Sequence, residues 1–166
     1  DAIYEGNETI TLTLSTPSNE TLGTPNPATL TIVDNETQPT VQFGSSAYSV
    51  SEAGGSATIT ATLSGASASS VTVNYATSNG TATAGSDYAA LGTTVTFPAG
   101  VLSVPRTLTP LDDALQELPE TVVLTLAQDP SYARGIPRRA TVTLSSDDPI
   151  TQTVTVAATD PTATEL

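Results

Sequence analysis

Carboxylates are the one class of chemically active side chain that this sequence supplies in quantity. Between residues 40 and 149 stand Glu52, Asp87, Asp112, Asp113, Glu117, Glu120, Asp129, Asp147 and Asp148, against four arginines in the whole chain of 166 residues and no His, Cys, Met, Trp or Lys. Ser-His-Asp and Cys-His catalysis are therefore excluded. The imidazole and thiolate ligands that transition metals favour are missing, and so is any disulfide framework. Oxygen-only ligands on flexible loops suit a hard cation, and Ca²⁺, which takes about 6 to 8 oxygens, better than Mg²⁺. Paired carboxylates also serve glycoside hydrolysis, but here the acids are too many and no Trp offers a sugar platform. Catalysis is not expected, and no catalytic residue is assigned. The formal charge of −13 argues against nucleic acid or an anionic membrane as partner, because both need a basic footprint. No membrane insertion is expected; neither a signal peptide nor a run of 18 apolar residues occurs in these residues, as would also hold for a window from the middle of an array.

The acids recur. Asp1, Glu5 and Glu8 align with Asp113, Glu117 and Glu120 at an offset of 112, and ITLTL (Ile10 to Leu14) and ATLTI (Ala28 to Ile32) return as VVLTL (Val122 to Leu126) and ATVTL (Ala140 to Leu144). Self-similarity at a fixed period marks an array of modules and shows where each begins. Residues 1–38 read as the C-terminal half of one module, 40–148 as a complete one and 150–166 as the first strand of a third. About 110 residues suffice for one hydrophobic core, and the flanking pieces are too short for their own.

Period-two alternation dominates, without helical periodicity. The complete module reads as seven strands: 41–51 (kinked at Gly44), 56–63, 70–78, 92–97, 102–111, 120–127 and 139–145. Inward positions by parity are Ile59, Ala61, Leu63, Val71, Val73, Tyr75, Val95, Phe97, Leu108, Val122, Leu124, Leu126, Val142 and Leu144. Pro105 and Pro110 lack the amide that a central strand donates, which puts 102–111 at an edge or bulge. This pattern implies an all-β, immunoglobulin-like antiparallel sandwich. If strands alternate up and down, Glu52, Asp87, Asp112, Asp113, Glu117, Glu120, Asp147 and Asp148 gather at one pole, with Asp129 alone elsewhere. Arg134, Arg138 and Arg139 fall at the other. Such an acidic pole either stays solvated and binds nothing or is neutralised by a counter-ion, in which case eight acids imply two or more Ca²⁺ ions sharing bridging carboxylates.

Five elements in order resemble the Calx-β domain: VxFxxxxYxVxExxG (Val41 to Gly54), GSDY (Gly85 to Tyr88), TFPAG (Thr96 to Gly100), LDDxxxExxET (Leu111 to Thr121) and ATVTLxxDD (Ala140 to Asp148). Residues 1–36 resemble the family's latter half. The resemblance implies a seven-stranded sandwich with a Ca²⁺ cluster at one tip, as in sodium/calcium exchangers, an integrin subunit and large bacterial surface proteins. It carries the metal ligands over to Glu52, Asp87, Asp112, Asp113, Glu117, Glu120, Asp147 and Asp148. The family's terminal acidic triplet reads Ser146-Asp147-Asp148 here. Asp1, Glu5, Glu8, Asp34 and Glu36 would form part of a second site.

The expected function is a non-catalytic, Ca²⁺-stiffened structural or adhesive repeat of a large extracellular or cell-surface protein, bacterial in the family's pattern. Its expected partners are neighbouring modules of the same polypeptide, with Arg134, Arg138 and Arg139 facing the acids at Asp34 to Glu36 of the preceding module. The alternative is a homo-oligomer or self-assembling filament joined by strand exchange through the apolar stripes of 1–38 (Ile10, Leu12, Leu14; Leu30, Ile32) and 150–166 (Val154, Val156). Four Asn-x-Thr sequons, at Asn7, Asn19, Asn35 and Asn79, are what chance yields in so Thr-rich a chain.

Overall fold

The computed structural model describes residues 1–149 and 154–157. Alternation sets the strands: ATITATL buries Ala57, Ile59, Ala61 and Leu63 and turns its threonines away, and ETVVLTL buries Val122, Leu124 and Leu126. β-branched and aromatic side chains fit such half-buried pleats. The elements are β1 (Glu8–Leu12), β2 (Ala28–Ile32), β3 (Thr40–Phe43), β4 (Ala47–Ser51), β5 (Ala57–Leu63), β6 (Val71–Asn79), β7 (Thr94–Phe97), β8 (Ser103–Leu108), β9 (Glu120–Leu126), β10 (Ala133–Arg134) and β11 (Arg139–Ser145).

Two sheets enclose one core. One has the order β10-β3-β5-β8 and the other β4-β11-β9-β6-β7. Between them lie Val41, Phe43, Ile59, Val73, Phe97, Leu108, Val122, Leu124, Val142 and Leu144, each at most 4% exposed. Of the predicted inward positions only Val71 is less than fully buried, and it packs against the cluster. Tyr88 and Tyr132 also enter the core, from loops where alternation carries no signal. β8 is an edge strand, one of the two placements, edge or bulge, that Pro105 allowed.

Two parts of the seven-strand reading need correction. The first strand is not one kinked ribbon: β3 pairs with β5 in one sheet and β4 runs parallel to β11 in the other. Residues 44–46 make the crossing, with the Gly44 amide donating to Thr60 O at 2.7 Å and Ser45 Oγ to Ala47 O at 2.9 Å. Short polar side chains satisfy backbone groups locally and so compete with a continuous ladder. The second correction is β10, two residues that pair parallel with Thr40 and Val41 and are too short to alternate.

Residues 1–36 form a separate two-stranded antiparallel sheet, β1 with β2. Ile10, Leu12, Leu14, Leu30 and Ile32 are all at least 45% exposed. The predicted strand in 150–166 falls mostly outside the described residues. Where it is described, at 154–157, no strand forms and Val154 and Val156 are exposed.

Candidate metal centre

Four strand ends meet at one end of the five-stranded sheet. β4 and β11 run parallel and finish together, and the Glu52 amide donates to Ser145 O at 3.0 Å. β9 starts beside them, with Glu120 opposite Leu144, and β6 finishes with Asn79 opposite Val122. Consecutive loops thus deliver Glu52, Asp87, the 111–120 segment and Asp147–Asp148 to the same place.

Gly80 permits the closest approach, because a Cβ there would collide with Thr121; its amide donates to Thr121 O at 2.9 Å. Asp87 sits in a tight turn. Its Oδ2 accepts from the Thr83 amide at 2.5 Å, and its own amide donates to Thr83 O at 3.0 Å. Gly85, at φ +90°, supplies the left-handed residue of that turn. Tyr88, 1% exposed, anchors the loop in the core and donates its hydroxyl to Asn79 Oδ1 at 3.0 Å. The Leu111 amide donates to Asp87 O at 3.0 Å, tying the 111–120 segment to it.

Carboxylate oxygens of Asp87, Glu117 and Glu120 come within 4.8 Å of one another. Glu52 is 4% exposed, a buried acid. Burial first, and then the charges of Glu117, Asp113, Asp87 and Asp147, push its carboxyl above the ordinary glutamate value. Glu117 is raised by burial and then by Asp87, Asp113 and Asp148. Glu120 is raised by burial first, and then by the neighbouring carboxylates of Asp87, Glu117 and Glu52. Mutual repulsion plus desolvation is the signature of acids gathered without a counter-charge. Seven of the eight predicted ligands are thus brought together. Asp112 is exposed and is not among the charges acting on these three glutamates. Asp129 lies apart, its carboxylate held by the Ser131 hydroxyl and amide.

Glu120 Oε2 is buried and has no hydrogen-bond partner. A buried charge without donor or cation is costly. An all-oxygen donor set of this kind, with Asp87, Glu117 and Glu120 grouped closely enough to share an ion, fits a hard cation such as Ca²⁺.

Five of the six acids of the first unit, Asp1, Glu5, Glu8, Asp34 and Glu36, line one cleft. There the Asp34 carboxylate is occupied by backbone: it accepts from the amides of Glu36 (2.9 Å), Gly6 (2.5 Å) and Glu5 (2.8 Å). These donors, Glu36 first and then Gly6, hold its pKa at about 2. Arg134, Arg138 and Arg139 lie at the opposite end of the complete unit, where Arg139 pairs with Thr125 at the far end of β9. Arg134 donates to Leu126 O at 3.0 Å and to Gln128 Oε1 at 3.1 Å within its own unit, while Arg138 and Arg139 are exposed.

The supporting residues Thr83 and Tyr88 were not singled out in the sequence. Tyr88 stood inside the GSDY motif, but its aspartate neighbour masked its own role as anchor.

Comparison with protein families matches the Calx-beta domain over residues 1–36 and again over 34–148. Among curated proteins, the chain is 34% identical over 154 residues to FRAS1-related extracellular matrix protein 2 of Homo sapiens and 31% identical over 153 residues to extracellular matrix protein 3 of Lytechinus variegatus. Each match covers 87% of this chain but only 5% of the relative's length. Among solved structures, the apo-form Calx CBD1 domain superposes with a TM-score of 0.62 at 26% identity, covering 68% of this chain and all of that one. The calcium binding domain CBD12 of CALX1.1 gives a TM-score of 0.60 at 28% identity, covering 65% of this chain and 44% of that one. Among the described residues no helix is long and apolar enough to cross a membrane. The all-β sandwich, the acidic tip and these matches agree: the chain belongs to the Calx-beta domain family.

Proposed function

We propose that residues 40–148 are a Ca²⁺-binding structural repeat of a large extracellular protein, with Asp87, Glu117, Glu120 and Glu52 at the centre of the site and Asp113, Asp147 and Asp148 around it. The observation that carries this reading is the buried, donorless Oε2 of Glu120 beside the oxygens of Asp87 and Glu117. The converging carboxylates offer more oxygens than one ion takes, which favours two or more ions with bridging ligands. Because the ligands come from separate strand ends, bound ions tie those ends together and stabilise the fold by RT ln(1 + [L]/Kd). No step of chemistry is assigned, and the role is mechanical.

The two family matches and the recurring acids support a tandem arrangement in which 1–38 is the C-terminal half of a preceding unit. The matrix-protein relatives support an extracellular setting. Calorimetric titration with Ca²⁺ and thermal unfolding with and without chelator test the reading. Binding that disappears in Glu120→Gln, together with a melting point lowered by chelator, is expected. A melting point indifferent to both Ca²⁺ and chelator overturns it.

A further inference from the structure

Two-unit chains joined by a linker move relative to one another unless an interface holds them. Here β2 ends at Ile32 and β3 begins at Thr40, so residues 33–39 alone would leave the first unit free to swing. A second connection exists. The Tyr4 amide donates to Ala66 O at 3.3 Å and the Ala68 amide donates to Tyr4 O at 3.2 Å, which makes Tyr4 a parallel bridge partner of Ser67. Its half-buried side chain lines a small cleft with Pro39, Leu63, Val71 and Tyr132.

Both halves of this contact are built rigidly. On the receiving side Ser67 is 8% exposed, and its carbonyl accepts from the Gly100 amide at 2.9 Å. On the donating side the Asp34 carboxylate clamps the amides of Glu5 and Gly6, the residues that follow Tyr4. The linker adds Gln38 Nε2, which donates to Ser131 O at 2.9 Å. Ser131 is in turn held by Asp129, so Asp129, the acid left out of the metal cluster, has a place at this junction.

We propose that the turn at 66–68, with Ser131, is a docking surface for the tip loop of the preceding unit, and that Tyr4 sets the angle between the two units. Asp34 acts as the positioning residue for Tyr4. This goes beyond metal binding, because the bonds named require no ion at the complete unit's acidic tip, which lies at the other end of its sheet.

The chain has no cysteine, so spin labels at Thr31→Cys and Thr58→Cys, both exposed, report the inter-unit distance by pulsed electron resonance. Measuring in chelator keeps the result separate from the Ca²⁺ reading. A single narrow distribution is expected in the parent pair, and its width should roughly double in Tyr4→Ala as the units regain the mobility ordinary for linked domains. Ala68→Pro, which removes the donor to Tyr4 O, should act alike, and unfolding of the complete unit is checked by melting. Gln116→Ala, the position one repeat after Tyr4, should leave the width unchanged. A parent distribution already broad, or one unaltered in Tyr4→Ala, overturns the proposal.

Discussion

Residues 8–32 and 120–144 carry the same alternation in the same register, yet their apolar faces meet opposite surroundings. Val122, Leu124, Val142 and Leu144 are at most 1% exposed, whereas their counterparts Ile10, Leu12, Leu30 and Ile32 are 45 to 58% exposed. Local pattern suffices to pair two strands, since β1 and β2 keep an antiparallel register as β9 and β11 do. Burial requires a second sheet, and among the described residues only the complete unit supplies one. The acidic tips differ in the same way. In the complete unit Glu52 and Asp87, from the front half, crowd Glu117 and Glu120; in residues 1–36 no such neighbours are present, and Asp34 is instead satisfied by amides. At the position equivalent to Asp34 the complete unit has Ser146, whose hydroxyl reaches Leu115 O and Asp148 at 3.5 Å, so the amides of Glu117 and Leu118 lack that carboxylate clamp.

The sharpest way to break this contrast is a matched pair of truncations. Leu124→Ala should destabilise the main unfolding transition by about 2 to 5 kcal/mol, the cost of a cavity in a close-packed core. Leu12→Ala, at the equivalent position, should change it by less than about 0.5 kcal/mol. Equal costs in chemical denaturation would mean that the first unit's face is covered.

Metal addition comes next. At a free Ca²⁺ concentration about 100 times Kd, the complete unit should gain about 2.7 kcal/mol, measured as a rise in melting temperature that chelator reverses. Residues 1–36 lack counterparts of Glu52 and Asp87, so a peptide of their sequence should show no Ca²⁺-dependent change in circular dichroism.

The pH dependence separates the two tips further. Glu52, Glu117 and Glu120 are raised above the ordinary 4.5 in the folded state. Above that pH the folded chain holds more protons than the unfolded one, so stability falls as pH rises through the raised values, and the loss is complete beyond them. Metal-free protein should therefore melt higher near about pH 5 than near about pH 7.5, and saturating Ca²⁺ should abolish or reverse that order, because metal binding favours deprotonated ligands. Asp34, lowered from 3.8 to about 2, works in the opposite sense. Its stabilisation is present above 3.8 and is lost as pH falls towards about 2, a window that does not overlap the first.

The smallest effect is expected from restoring the missing acid. Ser146→Asp should accept from the Glu117 and Leu118 amides as Asp34 does from Glu5 and Gly6, and raise Ca²⁺ affinity roughly three- to tenfold, since ligand charge and site rigidity tune such affinities. Titration calorimetry reads this directly. Unchanged affinity would mean that the two tips are not built alike.

Much of this molecule is written in local pattern. Period-two alternation specified which faces of β5, β6, β7, β9 and β11 turn inward, because a strand has only two faces and one of them must leave water. Pro105 confined β8 to an edge or a bulge by its missing amide, and strand direction was enough to send Glu52, Asp87, Glu117 and Asp147 to one end. What alternation could not encode depended on neighbours far along the chain. The crossing of β3 and β4 between sheets, the anchoring of the Asp87 loop by Tyr88, and the seat of Tyr4 on the 66–68 turn all lie in segments without period. Their positions follow from which backbone groups and core sites remained unfilled after the strands had paired. Ligand types are a property of single residues, but a carboxylate trapped without a donor exists only once the surrounding chain has closed over it, and that the tertiary structure alone decided.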